Sequence, residues 1–235
     1  KFWAPLVGES YSKKSHELFD IWFENQQIHR ENNPAVVSKQ GIKKWFKKGS
    51  LHREDGPAAE YPDGSLIWFQ NGLCHRDNGP AEIRPKVNAN ESWYRLGEIH
   101  RDNGPARITP QGMFWYKNGL LHRDDDLPAA IHNHGAKVWW QAGVMHRENG
   151  PAIVSEDGTK KWLRNHKLDR KDGPAVERPN GDVEYWVEGK KQDDSECKKA
   201  MIPHPPLDMS VEARKILMRI DPNFIEQEME FWEEI

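Results

Sequence analysis

Between about residue 21 and residue 190, apolar positions recur in one order: an aromatic pair led by tryptophan, a turn, an apolar residue before His-Arg, then Gly-Pro-Ala. Residues 58–81, "AAEYPDGSLIWFQNGLCHRDNGPA", show the pattern in full. Short strand-like runs are separated by Pro62-Asp63-Gly64 and Asn71-Gly72, which supply the positive φ angles of tight hairpin turns. Asp77-Asn78-Gly79-Pro80 breaks the chain again before the next strand. The pattern predicts an all-β repeat: an elongated, single-layer antiparallel meander of ~23-residue hairpins, each copy giving two longer strands and one short segment.

The His-Arg pair stands at His29-Arg30, His52-Arg53, His75-Arg76, His100-Arg101, His122-Arg123 and His146-Arg147, and becomes Asp169-Arg170 in a seventh copy. Successive spacings are 23, 23, 25, 22, 24 and 23. The irregular ones have local causes: "HRDDDLPA" at 122 inserts one residue, and the stretch from Ala to Trp lengthens from Ala81 to Trp93 and shortens from Ala106 to Trp115. Insertions fall in turns while the strands keep their length, the behaviour of a structural unit.

A histidine recurring beside an arginine and an acid raises the question of chemistry. Spacing argues against a shared metal. With two or three strands per copy at about 4.8 Å each, equivalent histidines stand roughly 10–14 Å apart, whereas zinc needs its ligands at about 2.0–2.3 Å. His132 and His134 in "AIHNHGAK" are the weak metal candidates, two alternate residues facing one way. Six near-identical sites are also a poor plan for catalysis, which wants one asymmetric pocket. No nucleophile elbow, phosphate loop or paired-cysteine motif is present. The structural reading makes His52, Arg53, His75, Arg76, His100, Arg101, His122, Arg123, His146 and Arg147 a cross-repeat clamp, each Arg lying over a tryptophan and pairing with the following acid. The copies that break the phrase, "HRDDDLPA" at 122 and "LDRKDGPA" at 168, are the places to look for function.

The aromatic pairs, Trp22-Phe23 through Trp139-Trp140 to Tyr185-Trp186, put adjacent rings on opposite faces of one sheet. A single-layer sheet has no second layer to cover both, so one face curls on itself as the core, packs against the terminal segments, or meets a partner; on the last reading Trp68, Trp93, Trp115, Trp139, Trp140, Trp162 and Trp186 are the binding-face candidates.

The period of 23, the core Gly64, Trp68, Phe69, Gly72, and the glycine after a His-containing strand resemble MORN repeats and MORN-like antitoxin and viral repeat proteins. The His-Arg-x-x-Gly-Pro-Ala phrase is similar to repeats of large DNA viruses and tailed phages, over residues 21–190. It departs from the plain MORN phrase, which has His-Gly-x-Gly there. The resemblance implies a non-enzymatic protein-binding scaffold of phage or viral origin that binds or inhibits a host or toxin protein. The alternatives are a structural part of a virion or other assembly, and a metal-dependent enzyme using His and Asp.

The ends read differently. Residues 1–20 form an N-terminal cap and 191–209 a polar, Pro-rich linker. Residues 210–235 carry helical signals, with Ser210 and Asp221 as N-caps and Pro222 at a first helical position. There Phe224, Ile225, Met229 and Trp232 form a stripe at helical spacing, either capping the sheet or docking on a partner.

Composition narrows the partner classes. The 235 residues carry 34 Lys and Arg against 37 Asp and Glu, interspersed, for a net charge of −3. Electrostatic binding to nucleic acid or anionic lipid needs a basic face, and the densest basic run is Lys43, Lys44, Lys47 and Lys48. The expected partner is therefore another protein, and no cofactor is implied. Two cysteines, Cys74 and Cys197, give no disulfide framework and point to a reducing cytoplasm. No apolar run reaches the ~18 residues of a membrane helix.

Overall fold

The computed structural model describes residues 11–85 and 89–192. The proposed helix with Phe224, Ile225, Met229 and Trp232, nearly all of the linker and the first half of the N-terminal cap lie outside these residues. The chain divides into two compact units, Lys1–Pro110 and Gln111–Ile235.

Both units are antiparallel β meanders. In the first, the strands Tyr11–Ser15, Phe19–Glu24, Val36–Ser38, Lys43–Lys44, Ala59–Glu60, Leu66–Ile67, Glu82–Arg84, Asn90–Ser92 and Arg107–Thr109 pair each with the next. The described part of the expected cap thus contributes a strand, with Lys13 opposite Trp22. In the second unit the same holds for Gly112–Phe114, Ala130–His132, Lys137–Val138, Ile153–Val154, Lys160–Lys161, Val176–Glu177 and Val183–Val187. A last hairpin, Val183–Val187 with Lys190–Gln192, closes the described chain.

Each copy differs from the expected two long strands and a short one. At Trp45, Trp68, Trp93, Trp115, Trp139 and Trp162 the sheet strand breaks and the chain enters a separate two-stranded ladder, such as Phe46–Lys47 with Ser50–Leu51, or Trp140–Gln141 with Val144–Met145, whereas the strand Phe19–Glu24 runs on unbroken through Trp22. The tips of these ladders are tight because two successive residues take positive φ, for example Asn71 at 52° and Gly72 at 81°. On the sheet side, Asp63 accepts the N–H of Ser65 at 2.8 Å and Gly64 has φ of 89°.

The alanine of Gly-Pro-Ala marks the core. Ala35, Ala58, Ala81, Ala106, Ala129, Ala152 and Ala175 each have 0% exposure. In the second unit Phe114, Tyr116, Leu120, Val138, Trp140 and Ile153 join them as buried residues. A methyl group is what fits where sheet and hairpin backbones meet, so small side chains form the seam and large ones flank it. Among the described residues no helix is long and apolar enough to cross a membrane.

Candidate functional site

The joint of each copy is built from the tryptophan outward. Trp45 donates its backbone N–H to Ala58 O at 2.8 Å, on the sheet side, and its own carbonyl accepts the N–H of His52 at 3.1 Å, on the hairpin side. The same pair of bonds occurs at Trp22, Trp68, Trp93, Trp115, Trp139 and Trp162, the last with Asp169 in the histidine's place. One residue thus belongs to two ladders, and the strand turns there because its N–H and its C=O serve different neighbours.

The arginine secures this corner from within its own copy. Arg30, Arg53, Arg76, Arg101, Arg123, Arg147 and Arg170 each place the guanidinium 3.9–4.1 Å from the ring centroid of the tryptophan eight residues earlier. Each also donates Nη1 to the carbonyl of the proline that follows, at 3.1–3.3 Å. In five copies a glycine before that proline makes the room, Asn33 and Leu127 standing there in the other two: a Cβ at Gly79 would stand 3.1 Å from Arg76 Nη1, and one at Gly173 would stand 3.0 Å from Arg170 Cζ. Ion pairs add to this at Arg53 with Asp55 and Glu60, and at Arg170 with Asp172 and Glu177.

The histidine reaches the next copy instead. Nδ1 of His29, His52, His75 and His122 accepts the backbone N–H of Lys48, Asn71, Leu96 and Ala142 at 3.1–3.3 Å, each of these being the first residue of a neighbouring hairpin tip. Accepting there requires an unprotonated Nδ1, so the ring proton sits on Nε2. Nε2 in turn faces a carboxylate two residues on: Glu54, Asp77, Asp102 and Asp124 lie 2.8–3.2 Å from His52, His75, His100 and His122. Lys47 and His52 hold the Glu54 carboxyl below its ordinary range, and His122 and Lys117 do the same for Asp124. The expected clamp is therefore two devices. Arg closes its own copy through its side chain, Arg147 alone of the seven also reaching back to Asp126 of the copy before, and His ties one copy to the next. The Arg backbone also crosses: Arg30, Arg53 and Arg170 donate their N–H to Phe46, Phe69 and Trp186 at 3.4, 3.3 and 3.0 Å.

The copies that break the phrase are absorbed in different ways. In the fifth, Asp125 and Asp126 take positive φ at 62° and 53°. Asp126 then receives Arg147 Nε and Nη2 at 2.9 and 2.8 Å, and its carbonyl accepts Trp139 Nε1 at 2.9 Å. In the seventh, Asp169 Oδ1 accepts the N–H of Glu188 at 3.2 Å, the histidine's task carried out by a carboxylate. The joint between the sixth and seventh copies is less complete. His146 Nδ1, Asn165 Oδ1 and Lys171 Nζ are buried without a hydrogen-bond partner. Burial, reinforced by Arg164, pulls the His146 pKa down. A cleft of about 680 Å³ opens here, lined among others by Arg147, Glu148, Arg164, Asp169, Arg170 and Lys171.

The other expected site residues fall out as follows. Trp139 and Trp140 are buried, at 8% and 6% exposure, and so do not present a binding face. Trp68, Trp93, Trp115 and Trp162 are half-buried, each with a guanidinium over its ring. Trp186 donates Nε1 to Glu184 at 2.8 Å. The aromatic rings are committed to the joints because that is where the chain has apolar area to cover. Acids stand outward, Glu54, Asp77, Asp102, Asp124 and Glu148 having side chains 64–79% exposed, together with apolar Leu73 and Leu96 at the hairpins. His132 and His134 do come together, ring centroids 5.1 Å apart, with His134 Nδ1 at 3.5 Å from Glu156. Burial and then His134 lower the His132 pKa. Among the described residues no group of three His, Cys, Asp or Glu side chains is placed to hold a metal ion. Burial, with Glu82 beside it, pushes the Cys74 thiol up to about 12, so it carries little thiolate.

No protein-family model matches the chain, and no curated protein matches it either.

Proposed function

We propose that the chain is a non-enzymatic repeat scaffold that binds another protein through the charged outer edge of its hairpins. The observation that carries this is the employment of the repeated polar groups: the Nδ1 lone pair of four histidines and the guanidinium of seven arginines are directed at the chain's own backbone. A general base needs a lone pair within reach of a substrate proton, and these four have theirs on an amide. The side chains that stand out at the hairpin edge are the acids, each facing its own histidine: Glu54, Asp77 and Asp102 in the first unit and Asp124 and Glu148 in the second, with Lys47, Arg95 and Lys117 beside three of them. Repeated, mixed-sign charge on a regular frame suits recognition of a complementary protein surface.

The resemblance to MORN-like repeats of phages and large DNA viruses makes a virus-encoded inhibitor acting in the host cytoplasm the finer form of this reading. Affinity capture from a candidate host, followed by mass spectrometry, tests it. Capture with the intact chain is compared with a variant carrying Glu54→Lys, Asp77→Lys and Asp102→Lys. A protein captured by the first and lost from the second is the expected result. Equal capture by both overturns the assignment of the acidic edge.

A further inference from the structure

We propose that the cleft at the joint of the sixth and seventh copies is a receptor for the carboxylate of an acidic segment of a protein partner. The proposal rests on the protein-binding reading above and narrows it to one place and one chemistry.

The argument comes from comparing equivalent positions. In three copies a basic residue two places after the tryptophan pairs with an acid seven residues later: Lys47 with Glu54 at 3.0 Å, Arg95 with Asp102 at 3.3 Å, and Lys117 with Asp124 at 2.9 Å. That acid also receives Nε2 of the histidine lying between them in sequence. The order is basic, neutral, acidic. In the seventh copy the corresponding residues are Arg164, Asp169 and Lys171, so the order becomes basic, acidic, basic. The carboxylate that balances the basic residue elsewhere is replaced by an ammonium.

The neighbours, Asp169 and Glu148, offset the charge of Arg164, but neither of them pairs with Lys171. Asp169 is held by Glu188 N–H and lies 3.8 Å from Arg164 Nε. Arg147 is matched by Asp126, and Arg170 by Asp172 and Glu177. Glu148 faces His146 at 3.8 Å. Lys171 Nζ is buried and has no hydrogen-bond partner, and its residue lines the cleft. A buried ammonium without an anion is costly. A carboxylate entering the cleft beside Arg164, with Lys171 turning its Nζ outward to meet it, would supply the acid that the other copies carry themselves. A peptide carboxylate also fits the mixed lining better than a multiply charged anion, because Glu148, Asp169 and Asp172 share the cleft and repel excess negative charge.

The test titrates the full chain with a blocked peptide carrying a single glutamate, acetyl-Ala-Glu-Ala-amide, and, separately, with inorganic phosphate, by isothermal calorimetry at low salt. The variant Asp169→His with Lys171→Glu restores the order found in the other copies and is expected to keep the fold, which circular dichroism checks. Lys171→Met removes the charge alone. The expected result is saturable peptide binding weakened about tenfold or more in both variants and by added salt. Peptide binding unchanged in the variants, no peptide binding, or binding of phosphate without the peptide each overturns the proposal. Loss of this site would leave capture through the acidic hairpin edge intact, so the two readings fail separately.

Discussion

The carboxylate of Asp169 accepts the backbone N–H of Glu188, and it does so where His29, His52, His75 and His122 use Nδ1. Asp has no ring and no comparable pKa, yet the joint is made. What the position requires is an acceptor aimed at the first residue of the next hairpin tip.

An acceptor of similar reach is therefore expected to substitute for the ring. His122→Asn, which can present its amide oxygen to Ala142 N–H, should lose less stability than His122→Ala, which orphans a backbone donor at a cost of about 1–3 kcal/mol. Urea unfolding of the two variants measures the difference. Equal losses would show that ring packing, rather than the bond, matters.

The arginine is expected to resist conservative exchange. Arg76 stacks at 4.0 Å on Trp68 and donates to Pro80 O at 3.1 Å. Arg76→Met keeps the apolar stem and loses the charge, the stacking plane and the donor, for about 1–3 kcal/mol. Arg76→Lys retains a charge but no planar fork, so it should recover only part of the loss in thermal melts.

At the alanine seam the sign of the expected effect does not depend on chemistry. Ala81 is 0% exposed, and both its N–H and its carbonyl are bonded, to Ser92 O and Trp68 N. Ala81→Val overfills the site and should cost about 1–3 kcal/mol, read as a lower denaturation midpoint. Ala81→Gly should also destabilise, through backbone entropy.

Acid should weaken the sixth joint first. The pKa of His146 is lowered from 6.5, by burial and then by Arg164. Above pH 6.5 both the folded and unfolded forms are neutral there, and its contribution is fully present. As pH falls below 6.5 the unfolded chain takes up the proton first, so stability declines until the folded value is passed. Denaturation midpoints at pH 7.5 and 5.5 should differ, and His146→Asn should remove part of that difference.

The sheet, the copy number and the hairpin turns could be read from residues, because Asn-Gly and Pro-Asp-Gly demand particular backbone angles and the period repeats them. The division of labour between His and Arg could not. Their adjacency fixes neither side chain's direction, and the histidine's partner lies 19–21 residues away on a backbone atom that every residue has. One clue was present: Asp169 replaces a histidine, and the property the two share is acceptance. The tryptophans misled because a strand was expected to continue through them, putting alternate rings on an open face. The break of each ladder at that residue turns the rings into the joint. Lys171 was visible only as one more lysine until its equivalents, Glu54, Asp102 and Asp124, were seen to hold a basic neighbour.

Because each tryptophan from Trp45 to Trp162 ends one ladder and begins another, the natural boundary of a module runs from tryptophan to tryptophan rather than from turn to turn. Cutting out residues 46–68 would join Trp45 to Phe69, and the remaining hairpins would again meet with a histidine at one end and a tip N–H at the other. Duplication of the same segment would be equally free of orphaned bonds. Such a chain can lengthen or shorten by whole modules, and the joint that ties one copy to the next is also what lets its length change.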